Sequence, residues 1–359
     1  MKKLFALFIA SFLLVCSCTP ADDVYKQALN ALKGRIESLK QAAPNTGAAV
    51  LAAQLEKDLF GAVPEGLTKE EVEGLQFMYA YMPINDMARM PYDYFVKVVK
   101  HAYSTKSASW GASVTPEMFR HFVLPVRVNN EDLDNARDLF YKELYPRVKD
   151  MSMYDAVIEI NHWCREKIVY QPTDGRTSPP VQIADRAYGR CGEETVVTVA
   201  ALRSVGIPAR QVYVPRWAHT GSNHAWVEVW VGGQWYYLGA CEPEPVLDRG
   251  WFTSSASRAM LVNTYAFGRI DPSKDTKGGE IVSESSLFTE ISTTSTYTDI
   301  KKAVVKIVDG KDRPIAGVPV YFQIYSGSLA PIASRVTDKN GIAFLTTAAM
   351  GTFVIETFY

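Results

Sequence analysis

Excess charge is missing from this chain: 38 Lys and Arg stand against 39 Asp and Glu, for a formal net charge of -1. A balance so close to neutral leaves no electrostatic footprint for nucleic acid, and no such partner is expected. Cysteine is scarce, with five residues, of which Cys16 and Cys18 lie at the extreme N-terminus. The three that remain, Cys164, Cys191 and Cys241, are an odd number, so no complete disulfide framework is implied. Cys164 and Cys241 form a bridge if Cys191 is the free thiol, or both stay lone buried thiols. Metal-ligand spacing is absent too. No Cys-x-x-Cys or His-x-x-x-His occurs, and His101, His121 and His162 scatter over helical patterns, so no metal is expected. No glycine-rich phosphate loop follows a strand pattern, and no cofactor is expected. Apolar runs long enough to cross a membrane are lacking; residues 4–15 are too short.

That short run nevertheless carries information. Lys2-Lys3 precedes it and Val15-Cys16-Ser17-Cys18 follows, which resembles the lipobox of bacterial lipoproteins. Cys18 is the better lipid acceptor, because small Ser17 precedes it whereas bulky Val15 precedes Cys16. An ordinary cleaved secretory leader is the alternative. Thr19, not aspartate, follows Cys18, which favours the outer membrane, and Asp22 and Asp23 hint at surface export. Residues 1–18 are therefore expected to be a signal peptide and lipid-anchor cysteine, with membrane contact through the N-terminal lipid alone.

With 359 residues, 47% of them hydrophobic and 21% charged, the chain is expected to fold into two or three domains. Residues 19–150 read as helical: Leu29, Leu32, Ile36 and Leu39 recur at helical spacing, Thr68 to Glu71 is a capping-box pattern, and Asn130-Glu131-Asp132 starts a further helix. Residues 151–271 read as a core. A helical pattern spans 153–170, a Pro/Gly/Ser-rich loop spans 171–180, and an apolar helix spans 193–204. Period-two strands follow at 210–215, 225–231 and 234–238, the last two joined by Gly232-Gly233. A helix packed on an antiparallel sheet is an α+β arrangement. Residues 272–297, poor in large apolar groups, read as a linker. Residues 298–359 alternate as strands and suggest a small β-sandwich, either closed by its last strand or continuing beyond it. The runs Pro314 to Val320 and Thr337 to Gly341 resemble the carboxypeptidase-regulatory or transthyretin-like Ig-type modules.

The chemistry concentrates at Cys191, which opens a helical pattern, and His224, 33 residues later in an aromatic-rich strand. A helix N-terminus lowers a thiol pKa, and an imidazole can take the thiol proton. The Cys191 backbone N–H is placed to face a developing oxyanion. His219 is the weaker candidate base and, with Trp217 beside it in a loop, a candidate for substrate contact. Most of the other aromatic residues here read as sheet packing, and Glu193 and Glu194 suit a first helical turn without any catalytic role.

Gly189-Arg190-Cys191-Gly192-Glu193, Gly206-Ile207-Pro208-Ala209-Arg210, His224-Ala225-Trp226 and Trp235-Tyr236-Tyr237-Leu238 together resemble the transglutaminase-like superfamily. The first of these segments and Cys241-Glu242 are also similar to peptide N-glycanases within it. The resemblance covers roughly residues 150–255 and implies a papain-like core with a Cys-His-Asp triad. The sequence departs from that pattern at Gly239, which stands where the superfamily places the aspartate. Glu242 is the suggested substitute, with Asn223 or a backbone carbonyl as alternatives. The expectation is a cell-envelope cysteine enzyme that cleaves or transfers an acyl group at an amide of a protein, peptide or glycopeptide through a Cys191 thioester. Hydrolysis is favoured, since nothing marks an amine site. The alternatives are a catalytically degenerate lipoprotein that binds glycan or protein, and an envelope protein in which the core only spaces domains.

Overall fold

The computed structural model describes residues 20–42, 47–61, 66–270 and 280–358. The leader and Cys18 lie outside the described residues.

Six helices come first: α1 (Pro20–Gln41), α2 (Gly47–Phe60), α3 (Lys69–Tyr81), α4 (Ile84–Arg89), α5 (Tyr92–Ser104) and α6 (Pro116–Phe122). The capping box at Thr68 forms as its sequence implies. Glu71 N–H donates to the Thr68 hydroxyl at 3.2 Å, and Thr68 N–H donates to the Glu71 carboxylate at 2.7 Å. Leu32, Ile36, Leu75, Phe95 and Val99 are buried together in the core of this helical part.

The helix expected from Asn130 does not start there. The buried Glu131 carboxylate instead accepts N–H groups from Val128 at 2.6 Å and Asn129 at 2.8 Å, which fixes a turn. Helix α7 (Ala136–Val148) begins later, where Asp134 accepts Ala136 N–H at 2.9 Å. Its Phe140, Leu144 and Val148 share a core with the helices that follow, so packing does not divide at the expected boundary near residue 150.

Helix α8 (Met153–Lys167) also ends earlier than its apolar periodicity suggests. Ile168 turns to extended backbone, and Val169–Tyr170 forms β1. After α9 (Pro180–Arg186), β1 pairs in parallel with β2 (Tyr188–Gly189), and α10 (Cys191–Ser204) follows at once. Pairing with a distant strand overrides helical periodicity at these β-branched and aromatic residues.

Strands β3 (Ala209–Val214), β4 (His224–Val231) and β5 (Gln234–Leu238) follow, then short α11 (Thr253–Ala256), β6 (Asn263–Phe267), β7 (Glu280–Glu284) and β8 (Phe288–Ser292). They form one six-stranded sheet in the order β5-β4-β3-β6-β8-β7, with every neighbour antiparallel. This corrects the linker reading of residues 272–297. Residues 280–292 extend the sheet, because Ser and Thr suit strands as well as loops when Phe288 and Ile291 supply apolar anchors. Residues 271–279 lie outside the described residues.

Alternation along β4 splits its side chains between two faces. Val227 and Val229 pack with Val196, Val197 and Val199 of α10. Trp226 packs on the opposite face with Val212, Val214 and Phe252. On that second face Arg210 and Glu228 stand directly opposite one another, 1% and 0% exposed, and pair at 2.7 Å. The Arg210 guanidinium lies 3.8 Å from the Trp235 ring centroid, and the Tyr297 hydroxyl donates to Glu228 at 2.6 Å.

The C-terminal strands are β9 (Ile300–Lys306), β10 (Pro319–Ser326), β11 (Ser328–Val336), β12 (Ile342–Ala348) and β13 (Val354–Thr357). A three-stranded sheet, β11-β10-β13, and a two-stranded sheet, β12-β9, share one apolar core with Met260 and Leu261. Arg216 reaches across to this part and donates to the Ser326 carbonyl at 2.7 Å.

Removing one member of a buried ion pair leaves the other charge without compensation. Arg210→Met is therefore expected to destabilise the protein by about 3–5 kcal/mol in urea unfolding at pH 7. Arg176→Ala, at the exposed pair with Asp174, is expected to cost under about 1 kcal/mol. Equal effects would show that the buried pair does not hold β3 to β4.

Candidate active site

Cys191 is set in place from both ends. The parallel β1–β2 pairing delivers the chain to Arg190, whose extended backbone caps α10 and makes Cys191 its first residue. Glu193, on the first turn, is fully buried. Its carboxylate accepts from the Thr173 hydroxyl at 2.7 Å, Ser178 N–H at 3.1 Å, Arg186 at 2.6 Å and Arg190 N–H at 3.3 Å. Burial opposes its ionisation, but these donors outweigh burial and hold its carboxyl below the usual range. Glu193 thus ties the 171–180 loop, α9 and the start of α10 to one point. Gly189 packs closely beside it: a Cβ there would meet the Glu193 Cβ at 3.0 Å, so any larger residue would press on this carboxylate's side chain.

The backbone N–H groups of Ala225 and Gly192 act to lower the Cys191 thiol. Burial is nevertheless the largest influence and pushes the Cys191 thiol above its ordinary value, with Glu194 adding to the rise. The expectation that the helix N-terminus lowers this thiol is therefore corrected: desolvation outweighs the dipole. Glu194 is itself driven up to about 8, by burial first and then by Glu242, and so is mostly a neutral acid at pH 7.

His224 opens β4 opposite Val214 of β3. Its ring lies in an aromatic box: centroids of Trp251, Phe252, Trp226 and Trp217 stand 4.9, 5.1, 5.8 and 6.3 Å away. Its Nε2 is buried and has no hydrogen-bond partner among the described residues. Burial alone lowers the imidazole to about 4, so it is neutral at pH 7. Cys191 and His224 line one cleft of about 500 Å³, together with Gln211, Tyr213, Asn223 and Tyr265. Both members of the pair expected from sequence line this cleft, and its resting form is a neutral thiol and a neutral imidazole.

The other expected site residues fall differently. Glu242 does not bond His224. Its carboxylate accepts the Trp251 indole N–H at 2.9 and 3.1 Å, and it folds back over Gly239, where a Cβ would lie 2.5 Å from its Oε2. Asn223 lines the cleft but supplies no partner for Nε2. Trp217, only 4% exposed, packs behind His224 and does not line the cleft. His219 is exposed and rests 5.6 Å from the Trp217 ring, also away from the cleft. The Cys164–Cys241 bridge is not formed: both thiols are free and buried.

Tyr213 and Tyr265 supply a cleft wall, and Glu290, within the residues read as a linker, bonds to it. Their rings stack at 5.5 Å, and their hydroxyls meet at 2.8 Å. Glu290 of β8 accepts from the Tyr213 hydroxyl and, at 3.0 Å, from Asn263. The available signal was the alternation Thr264, Ala266 against Tyr265, Phe267. Among the described residues no cluster of His, Cys, Asp and Glu could hold a metal ion, and no helix is long and apolar enough to cross a membrane.

Residues 142–240, the stretch that holds Cys191, His224 and Gly239, match the family model of the Transglutaminase-like superfamily. Over these residues the chain is transglutaminase-like, and its fold is α+β. A curated protein from Mycobacterium leprae (strain TN), "Uncharacterized protein ML0607", is 34% identical over 94 residues, covering 23% of this chain. The match spans 33% of that protein, so the chain covers about a third of the length of this relative. A solved structure named "Putative Cysteine Protease from Cytophaga hutchinsonii" shares 25% identity, with a TM-score of 0.27, over 32% of this chain and 40% of its own.

The His224 value sets a pH dependence. The folded imidazole resists protonation down to about 4, whereas the unfolded one takes a proton near 6.5. Its contribution is therefore fully present above pH 6.5 and is lost as pH falls from there toward 4. His121, buried and lowered to about 4, acts in the same direction. Between pH 7 and pH 5, His224→Gln is expected to lose about 2 kcal/mol less unfolding free energy than the wild type in urea titrations. Equal losses would mean that His224 titrates normally.

Proposed function

We propose that the chain is a cell-envelope cysteine enzyme that acts on an amide of a protein, peptide or glycopeptide. One observation carries this reading: a thiol at the start of a buried helix shares a cleft with a neutral histidine. As the Cys191 sulfur attacks the carbonyl carbon, its proton passes to His224. Nε2 is buried, so Nδ1 is the nitrogen that takes it. The carbonyl π-electrons move to oxygen, which the Cys191 N–H faces. Collapse of the tetrahedral adduct breaks the C–N bond, and the leaving amine takes the proton from the imidazolium. A thioester remains. Water then attacks it, giving its proton to His224; the C–S bond breaks and the proton returns to sulfur. An amine in place of water would give transfer; hydrolysis is the form proposed here. The stacked Tyr213 and Tyr265 form the wall against which the acyl portion lies.

A second reading rests on Gly239 and on the raised thiol: a degenerate core that binds glycan or protein without cleaving it. The two readings differ in covalent chemistry. Incubation with p-nitrophenyl acetate followed by intact mass spectrometry is expected to show one acetyl group on Cys191. Cys191→Ser is expected to abolish the thioester, and His224→Ala to slow acylation by about 10²–10⁴-fold. An unmodified wild type, with glycan or protein binding retained in Cys191→Ala, would establish the second reading instead.

We further propose that acyl chains on Cys18 hold the protein to the outer membrane, with the C-terminal sheets acting as an Ig-type module beside the cleft. Cells fed an alkynyl palmitate are expected to label the protein, and Cys18→Ala is expected to lose the label and appear in the soluble fraction. Undiminished labelling of Cys18→Ala would remove the anchor from this position.

A further inference from the structure

In a Cys-His-acid site the acid holds the imidazole ring in place. Here residue 239 is glycine, and the space above it is taken by the Glu242 side chain reaching back. That carboxylate ends on an indole N–H and not on an imidazole nitrogen. The indole belongs to Trp251, whose ring makes the shortest of the aromatic contacts to His224, at 4.9 Å. Trp251 is 65% exposed, so core packing does not account for its position.

The segment that carries Trp251 is pinned on both sides. Leu247 N–H donates to the Tyr154 hydroxyl at 2.9 Å, and Asp248 N–H to the Tyr237 carbonyl at 2.9 Å. In return, Tyr237 N–H donates to the Asp248 carboxylate at 2.8 Å. Gly250 N–H donates to the Thr253 hydroxyl at 3.0 Å. Phe252 then enters the core with Trp226 and Tyr237. The backbone brings Trp251 against the His224 ring, and the Glu242 bond selects the ring position.

We propose that Trp251 is a positioning residue that does by contact what the missing acid would do by hydrogen bonding, and that Glu242 serves His224 only through Trp251. The indole closes the outer side of the aromatic box and restricts the imidazole ring. The box excludes water from Nε2, which keeps the ring unprotonated and able to receive the thiol proton. Glu242 needs only to be an acceptor in this arrangement; its charge is not required. This inference rests on the Cys191–His224 reading above.

Four variants of the full chain test it, read by NMR titration of the His224 ring and by Cys191 acylation with p-nitrophenyl acetate. Trp251→Ala is expected to move the His224 midpoint from about 4 toward 6.5 and to slow acylation about 10–100-fold at pH 7.5. Glu242→Ala is expected to act in the same direction. Glu242→Gln, which keeps an oxygen acceptor, is expected to stay within about twofold of the wild type in rate and to leave the midpoint in place. Trp251→Phe, which keeps a ring but loses the N–H, is expected to fall between. The inference is overturned if Trp251→Ala leaves the midpoint at about 4. It is also overturned if Glu242→Gln loses as much as Glu242→Ala, since the carboxylate charge would then act on His224 itself. A wild type whose acylation ignores His224→Ala would sink the Cys–His reading, while the titration would still decide the role of Trp251.

Discussion

The fully buried carboxylate of Glu193 is the constraint on which the catalytic end depends. A charge taken out of water must find donors or it will take up a proton instead. Glu193 finds them on three separate pieces of chain: the loop at Thr173 and Ser178, Arg186 of α9, and the N–H of the helix cap at Arg190. Each donor alone would tolerate other arrangements of its own segment. All four together admit one, and in it the chain enters α10 with Cys191 as the first helical residue. The parallel pairing of β1 with β2 adds a second restraint two residues upstream. The thiol is therefore fixed by an acid that is itself fully buried.

Across the cleft the restraint on the histidine has a different character. Where Glu193 works through hydrogen bonds, His224 is held by ring contacts and by strand pairing, with Nε2 unpartnered among the described residues. Contacts of this kind fix a ring's position and leave its charge unsupported. The consequence is the pair of displaced proton affinities, a thiol raised and an imidazole lowered, both chiefly by burial. An ion pair between them would have to form without a carboxylate to stabilise the imidazolium. The resting site is neutral for that reason, so on the reading proposed above proton transfer accompanies attack.

Much of this was legible in the sequence because it rests on local chemistry. Cys191 before an apolar helix, His224 at the head of an alternating strand and the Gly232-Gly233 hairpin are short-range signals, and the structure holds all three. Gly239 was legible as a departure, but the route taken by Glu242 was not. A side chain three residues on can point to either ring, and only the fold of residues 247–252 puts an indole N–H in its path. Val169 and Tyr170 were misjudged because they continue a helical periodicity that a distant strand overrides. The same held for residues 280–292, whose Ser- and Thr-rich composition fits loops and strands equally until the edge of β6 is known to be free to receive them. With that edge unseen, the wall made by Tyr213, Tyr265 and Glu290 was out of reach.

The absence of a side chain at residue 239 has a steric consequence. An aspartate there would put its Cβ against the Glu242 carboxylate, 2.5 Å from Oε2, so the two acids cannot occupy this geometry together. The Gly239 carbonyl is meanwhile held by the Asn161 amide at 2.9 Å, which fixes the backbone at this position. Glycine and glutamate form one unit here: the absence of a side chain at 239 makes room for the one at 242, whose carboxylate accepts the Trp251 indole N–H.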